Sequence, residues 1–168
     1  LPGGAGLTYD PVSLYYGTDT FKYTLRDAGG LLDTATVVVT VTRDRTAPIV
    51  VAPAQRFLGQ TVGTSTIKVR MTWSGSDPGS GIKSYQLQES RNGGTYTNVA
   101  LITPTRYYAD RVLTTNASYR YRVRATDREG NVSGWRYSQT FKPSVFQESS
   151  GLATYTGAWL TYKTTGAL

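Results

Sequence analysis

The sequence contains no cysteine and no histidine, and each absence excludes a class of chemistry. Without cysteine there is no disulfide-stapled scaffold, so the stability of the fold must come from its hydrophobic core. Without histidine, the chain lacks the commonest general base and the commonest metal ligand. Hydrolase triads in their usual forms are excluded too, because they need histidine or a cysteine nucleophile paired with it.

Long apolar runs and helix-period hydrophobic segments are also missing. No stretch approaches the roughly 18 apolar residues of a transmembrane helix, so we predict no membrane insertion. The 168 residues include 13 Tyr and 18 Gly, with many Thr and Val and only 17% charged side chains. This composition is typical of all-β proteins with tight turns. Because the chain opens on Leu1 and not on methionine, we expect it to be part of a longer protein.

The net charge of +7 is unevenly distributed along the chain. Residues 1–42 have a balance of −2 and residues 144–168 a balance of 0, whereas residues 43–143 carry 15 basic and 6 acidic side chains. A basic surface can bind polyanions. A soluble, charged β surface explains the same composition, and we favour this second interpretation.

Alternation of apolar and polar residues predicts a β-hairpin over residues 21–42. In "FKYTLRD", Phe21, Tyr23 and Leu25 lie on one face, "ATVVVTVT" alternates in the same way, and "DAGGLLD" between them supplies the turn. A lone hairpin is at best marginally stable in water. We therefore expect this hairpin to pack on something else.

A polar segment, "RDRTAP", follows the hairpin and predicts a linker at residues 43–47. Beyond it come the strand-like segments "IKVRMTW", "IKSYQLQES", "TYTNVALI", "YRYRVRA" and "SGWRYSQTF". Short strands with turn signals every 8–12 residues are typical of a β-sandwich. We therefore predict an all-β fold of tandem β-sandwich modules.

Three parts of the chain resemble known β modules. Residues 48–143 resemble a bacterial fibronectin type III module, in which Trp73 matches an early-strand core tryptophan and Tyr119 in "LTTNASY" a tyrosine corner. The segment "VRATDREGNVSGW" matches the last two strands of that module and the turn between them. Residues 1–42 resemble the last strands of the cadherin-like or Ig-like repeats of bacterial surface proteins. Residues 144–168 are similar to the opening of a jelly-roll module, or form a strand-donating tail.

The resemblance implies an extracellular, non-catalytic role. Such chains are surface or secreted multidomain proteins that act as spacers, adhesins or fibres, with flanking β modules of the same or neighbouring copies as partners. A cell-surface polysaccharide is a second candidate partner, and the alternative function is an accessory carbohydrate-binding module of a secreted glycan-active enzyme. We predict no nucleic-acid binding, because the tyrosines mostly alternate inward and do not interleave with basic residues on one surface.

The arginines Arg120, Arg122 and Arg124 alternate along one predicted strand, about 6.5–7 Å apart on one face. They can form a strip for sulfated, phosphorylated or uronic polymers. Alternatively, Trp135 and Tyr137 on the next strand stack on the guanidinium planes. The resemblance supports this ladder, because cytokine-receptor fibronectin modules contain one beside a "WSxWS" motif, which "SGWRYS" matches in part.

Two further groups complete the candidate sites. Asp77, Asp127 and Asn131 lie in loops at one end of the predicted sandwich and can begin a Ca²⁺ site, which takes 6–8 oxygens. Side chains of this kind more often hydrogen-bond their own turn, so we predict no cofactor and keep calcium as the alternative. The tail is apolar, and we expect it to pair into a β-sheet that it does not itself complete, through Tyr155, Trp159, Leu160 and Tyr162.

Overall fold

A computed structural model of the chain describes residues 8–58 and 65–144, and these residues form an all-β protein, as predicted. No helix that could cross a membrane occurs among them. The strands are β1 (Gly17–Arg26), β2 (Leu32–Val41), β3 (Ile49–Phe57), β4 (Thr66–Ser76), β5 (Ile82–Arg91), β6 (Thr97–Val99), β7 (Tyr108–Thr114), β8 (Tyr119–Asp127) and β9 (Arg136–Tyr137).

Strands β1 and β2 form the predicted hairpin as an antiparallel two-stranded sheet. The Asp27 carboxylate closes its turn by accepting the Leu31 N–H at 2.8 Å, and Gly30 adopts the left-handed φ of 88° that this turn requires. Only part of the apolar face is covered. Phe21 is half-buried, whereas Leu25 on the same face is 57% exposed. Leu25 lies next to the turn, where no described element packs over it.

The other seven strands form a sandwich of two antiparallel sheets, in the orders β3-β4-β7 and β6-β5-β8-β9. The sequence patterns did not predict β3 or β7. Strand β3 contains Pro53, and its register with β4 shifts between Val51 and Ala54, which an edge strand tolerates. Strands β6 and β9 are shorter than predicted, with three and two residues.

The core lies between these two sheets and follows the predicted alternation. Along β8, residues at every second position are buried while the arginines between them face outward. Met71 and Tyr121 are fully buried, and Trp73 is buried beside Tyr85. Burial of each such side chain contributes about 1.5–3 kcal/mol, which stabilises the sandwich without disulfides.

Tyr119, at the start of β8, holds the end of β7 and so fixes the connection that crosses from one sheet to the other. Its hydroxyl accepts the Thr114 N–H at 3.0 Å and donates to the Thr114 carbonyl at 3.3 Å, which is the geometry of a tyrosine corner. An isolated antiparallel bridge pairs Tyr119 with Phe141. The chain therefore leaves the sandwich at the end where β8 begins.

An ion pair joins the two sheets at the edge of the core. Arg111 of β7 and Glu89 of β5 approach to 3.0 Å, and the Tyr121 hydroxyl donates to the same Glu89 oxygen at 2.5 Å. Burial, followed by this contact with the Glu89 carboxylate, raises the pKa of Tyr121 far above its usual range. Tyr121 therefore stays protonated and serves as a permanent hydrogen-bond donor.

Candidate functional site

A stack of guanidinium groups and aromatic rings covers the outer face of the four-stranded sheet. The guanidinium carbon of Arg122 lies 4.3 Å from the centre of the Trp135 ring, and that of Arg124 lies 4.6 Å from it. Trp135 thus contacts two arginines of the alternating set. Arg120, the third, lies 4.9 Å from the Tyr137 ring. We call this group, together with Tyr96, the ladder.

Tyr96 is a member that the sequence did not reveal. The Arg122 guanidinium lies 4.1 Å from its ring centre, so Arg122 contacts Tyr96 as well as Trp135. Tyr96 also meets Tyr137 edge to face, with ring centres 6.0 Å apart. Tyr96 lies in the predicted strand segment "TYTNVALI" but just before the observed strand β6, and its contact with Arg122 was not predicted.

Glutamines on the neighbouring strand hold the arginines in place. Arg122 donates from Nε to Gln88 at 2.7 Å, and Arg124 donates to Gln86 at 2.8 Å. Both glutamine amides in turn donate to the Asn98 side-chain oxygen at 2.8 Å. The ladder arginines are therefore oriented by stacking and by hydrogen bonds within the sheet.

Three carboxylates converge at the opposite end of the sandwich from Tyr119. Asp44, Asp77 and Asp127 each place one oxygen within 4.8 Å of the others, and Asp127 is fully buried. Sequence reasoning identified Asp77 and Asp127 but missed Asp44, which belongs to the segment between β2 and β3. No local pattern indicates that this linker residue folds back onto two loops. We call these three residues the carboxylate cluster.

Most oxygens of the cluster already accept hydrogen bonds. Asn131 donates its backbone and side-chain N–H groups to the two Asp127 oxygens, both at 2.7 Å. Asp44 accepts from the N–H groups of Thr46 at 2.9 Å and Ser80 at 2.8 Å. Asn131 therefore turns its N–H donors toward Asp127, and its part in a calcium site stays a prediction. Asp77 keeps one buried oxygen without a hydrogen-bond partner among the described residues.

Hydrogen bonding keeps two members of the cluster ionised. Backbone N–H donors from Thr46 and Ser80 lower the pKa of Asp44. Burial acts to raise the pKa of Asp127, but hydrogen bonds from Asn131 and Gly130 outweigh it, and the pKa is lowered overall. Both folded-state pKa values lie below the unfolded ones. The ionised Asp44 and Asp127 carboxylates therefore stabilise the folded state at neutral pH. This contribution is lost as the pH falls below about 4 and through their pKa values in the folded protein.

Calcium binding at the cluster stays a prediction, and thermal unfolding tests it. Three converging carboxylates supply only part of the 6–8 oxygens that Ca²⁺ takes, so carbonyl or water oxygens must supply the rest. We expect saturating Ca²⁺ to raise the unfolding midpoint by about 4–8 °C, the shift that roughly 1 kcal/mol gives in a domain of this size. Asp77→Asn should abolish the rise, whereas the control Asp110→Asn, on another face, should retain it. Equal midpoints in Ca²⁺ and in EDTA would assign the cluster to hydrogen-bonded turns.

The linker is held against the sandwich next to this cluster. Arg43 donates from Nε to the Glu129 carboxylate at 2.7 Å, and its guanidinium lies 5.4 Å from the Tyr16 ring centre. The Asn131 amide donates to the Asp44 carbonyl at 3.3 Å. These contacts, with the bond from Ser80 to Asp44, form what we call the junction. The predicted tail residues Tyr155, Trp159, Leu160 and Tyr162 lie outside the described residues.

Comparison with known proteins agrees with this architecture. A family model described as a bacterial Ig domain matches residues 2–40, the part of the chain that contains the hairpin. Exoglucanase B of Cellulomonas fimi is 33% identical over 132 residues, which cover 76% of this chain and 12% of the relative. The chain thus spans only 12% of the length of the curated relative that it matches. Both similarities fit a segment of Ig-like or fibronectin III-like β modules.

Proposed function

We propose that this chain is a non-catalytic segment of a secreted bacterial protein and that it holds neighbouring domains at a fixed spacing. The junction carries this proposal. A spacer needs a connection that resists bending, and Arg43 and Asp44 attach the linker to loops of the sandwich by an ion pair and hydrogen bonds. A free polar linker would instead behave as a flexible coil.

The ladder supports a structural role for the outer face of the four-stranded sheet, which carries the three alternating arginines. Arg122 and Arg124 have their planes against Trp135 and their Nε donors on glutamines. Reorienting them toward a ligand would break these contacts. We therefore interpret the ladder as architecture and not as a polyanion strip.

The parent protein is best proposed as a secreted glycan-active enzyme in which this segment does not catalyse. The proposal rests on the likeness to exoglucanase B, of which the chain spans a small part, and on the Ig-like match. The same two similarities support a proposed position outside the cell. The adhesive and fibre-forming roles that the resemblance implies stay predictions, and the tail proposed to assemble by strand pairing lies outside the described residues.

A distance measurement between spin labels tests the spacer. The chain has no cysteine. A double variant with Thr36→Cys on the hairpin and Arg91→Cys on the sandwich therefore carries spin labels at these two positions only. We expect a narrow distance distribution that broadens when Glu129→Ala removes the partner of Arg43. The matched control Lys83→Ala removes an exposed charge elsewhere and should leave the distribution narrow. A parent distribution as broad as that of Glu129→Ala would contradict the spacer.

An accessory carbohydrate-binding module is the second candidate. Exposed tyrosines favour it, since Tyr16 is 55% and Tyr107 62% exposed, and such rings can stack on sugars. This function predicts retardation by a neutral glucan in a native gel, with little sensitivity to salt. The spacer predicts no retardation, so the two candidates are separated by one gel.

A further inference from the structure

An open groove of about 690 Å³ crosses the three-stranded sheet, on the side of the sandwich opposite to the ladder. Strands β3, β4 and β7 contribute its walls. The lining side chains combine positive charge with apolar surface: Arg56, Phe57, Leu58, Lys68, Asp110, Arg111 and Val112. We call it the cationic groove.

The positive charge in the groove is only partly neutralised. Arg56 lies directly opposite Arg70 in the register of β3 and β4, and like charges in that position are destabilising. Among the described lining residues the carboxylate is that of Asp110, which accepts two hydrogen bonds of 2.6 and 2.7 Å from Arg70. Among the described residues, no ion pair involves Arg56 or Lys68. Two exposed cations are therefore available to an external anion.

The apolar part of the lining is exposed beside these cations. Val112 is 63% exposed and is the register partner of Lys68, so these two side chains lie on the same face of the sheet. Exposed apolar side chains next to free cations match a ligand that has anionic groups and apolar C–H surface in alternation. Sugar rings that bear carboxylates have this character.

The two basic faces of the sandwich differ in how their arginines are held. On the ladder, rings cover the guanidinium planes and glutamines accept from them. In the cationic groove, Arg56 and Lys68 have no such contacts among the described residues. The groove can therefore bind an anion without first breaking contacts inside the protein.

We propose that the cationic groove binds a carboxylated polysaccharide, a polyuronate chain, through Arg56 and Lys68, with Val112 against the C–H surface of a sugar ring. The ammonium and guanidinium groups pair with carboxylates, and the association weakens as salt rises. A nucleic acid fits less well, because single strands are bound on several aromatic side chains, and among the described lining residues none on the face of Arg56 and Lys68 is aromatic. This inference goes beyond the spacer and does not depend on it.

Affinity electrophoresis of the whole chain in gels containing polygalacturonate tests the proposal. We expect the protein to be retarded at low salt and released at high salt. Arg56→Gln/Lys68→Gln should weaken binding about tenfold or more, since it removes two direct charge contacts. The control Lys83→Gln/Arg136→Gln lowers the net charge equally, at exposed positions away from the groove, and should stay within about twofold. Circular dichroism of both variants verifies that they are folded.

Four outcomes would overturn the proposal. No retardation of the folded protein at low salt would show that it does not bind polygalacturonate. Equal weakening in the control variant would attribute binding to net charge alone. A larger loss in Arg120→Gln/Arg124→Gln would move the site to the ladder. Stronger retention by single-stranded DNA than by polygalacturonate would assign the groove to a different class of polymer.

Discussion

Replacement of Glu89 by alanine is expected to lower the free energy of unfolding by about 2–4 kcal/mol. The Glu89 side chain is only 13% exposed, and its carboxylate receives both Arg111 and the Tyr121 hydroxyl. Its removal leaves a fully buried phenol without an acceptor and a half-buried guanidinium without a counter-charge. Urea unfolding followed by tyrosine and tryptophan fluorescence measures the change.

The matched control removes the whole polar group at once. The triple variant Glu89→Met/Arg111→Met/Tyr121→Phe leaves no charge or hydroxyl at this position between the sheets. Its free energy of unfolding should therefore be within about 1.5 kcal/mol of that of the parent. The single variant should then be the less stable of the two. If Glu89→Ala costs less than the triple variant, the ion pair does not hold the sheets together as we infer.

Replacement of Trp135 by alanine is the second large effect, at about 2–3 kcal/mol. The indole contacts Arg122 and Arg124, and each exposed cation–π contact contributes about 0.5–1 kcal/mol. The rest comes from the apolar surface that the half-buried ring covers, about 25 cal/mol for each Å². The same urea titration, read by circular dichroism because a fluorophore is lost, measures the difference.

Tyr96→Ala separates stacking from general damage to this face. Tyr96 meets one ladder arginine, Arg122, whereas Trp135 meets two. Its removal should therefore cost less than that of Trp135, at about 0.5–1.5 kcal/mol. A Trp135→Ala variant within about 0.5 kcal/mol of the parent would show that the stack does not stabilise the sandwich and would reopen the arginines to a binding role.

Patterns within single segments predicted the parts of the fold that depend on period-2 alternation. The hairpin and β8 have one apolar side and one polar side, and this difference fixes which residues face the core. Strand β3 escaped prediction because Pro53 and the register shift beside it interrupt the alternation. Alternation placed Leu25 on the apolar face of the hairpin but does not indicate whether another element covers that face, and Leu25 is 57% exposed.

The candidate sites differ in the same way: contacts between regular strands were predicted, whereas contacts from irregular segments were not. The three arginines lie on β8 and Trp135 directly precedes β9, the next strand of the sheet, so the sequence pattern indicated their contact in space. Asp44 and Tyr96 reach their sites from irregular segments, through contacts such as that between Asp44 and Ser80. Such contacts depend on where a loop runs, which residue spacing does not encode.

The position of Phe141 against Tyr119 has a mechanical consequence. The chain comes into the sandwich at Ile49, beside the carboxylate cluster, and leaves at Phe141, at the other end of the nine-residue strand β8. Tension applied through the flanking chain would therefore run lengthwise along the strands over about 25–30 Å. Load in this direction strains many hydrogen bonds between neighbouring strands at the same time. If the chain entered and left the sandwich at the same end, a strand could instead separate one hydrogen bond at a time. If the chain acts as the spacer proposed above, the sandwich would lengthen the connection by its full long axis and resist extension under load.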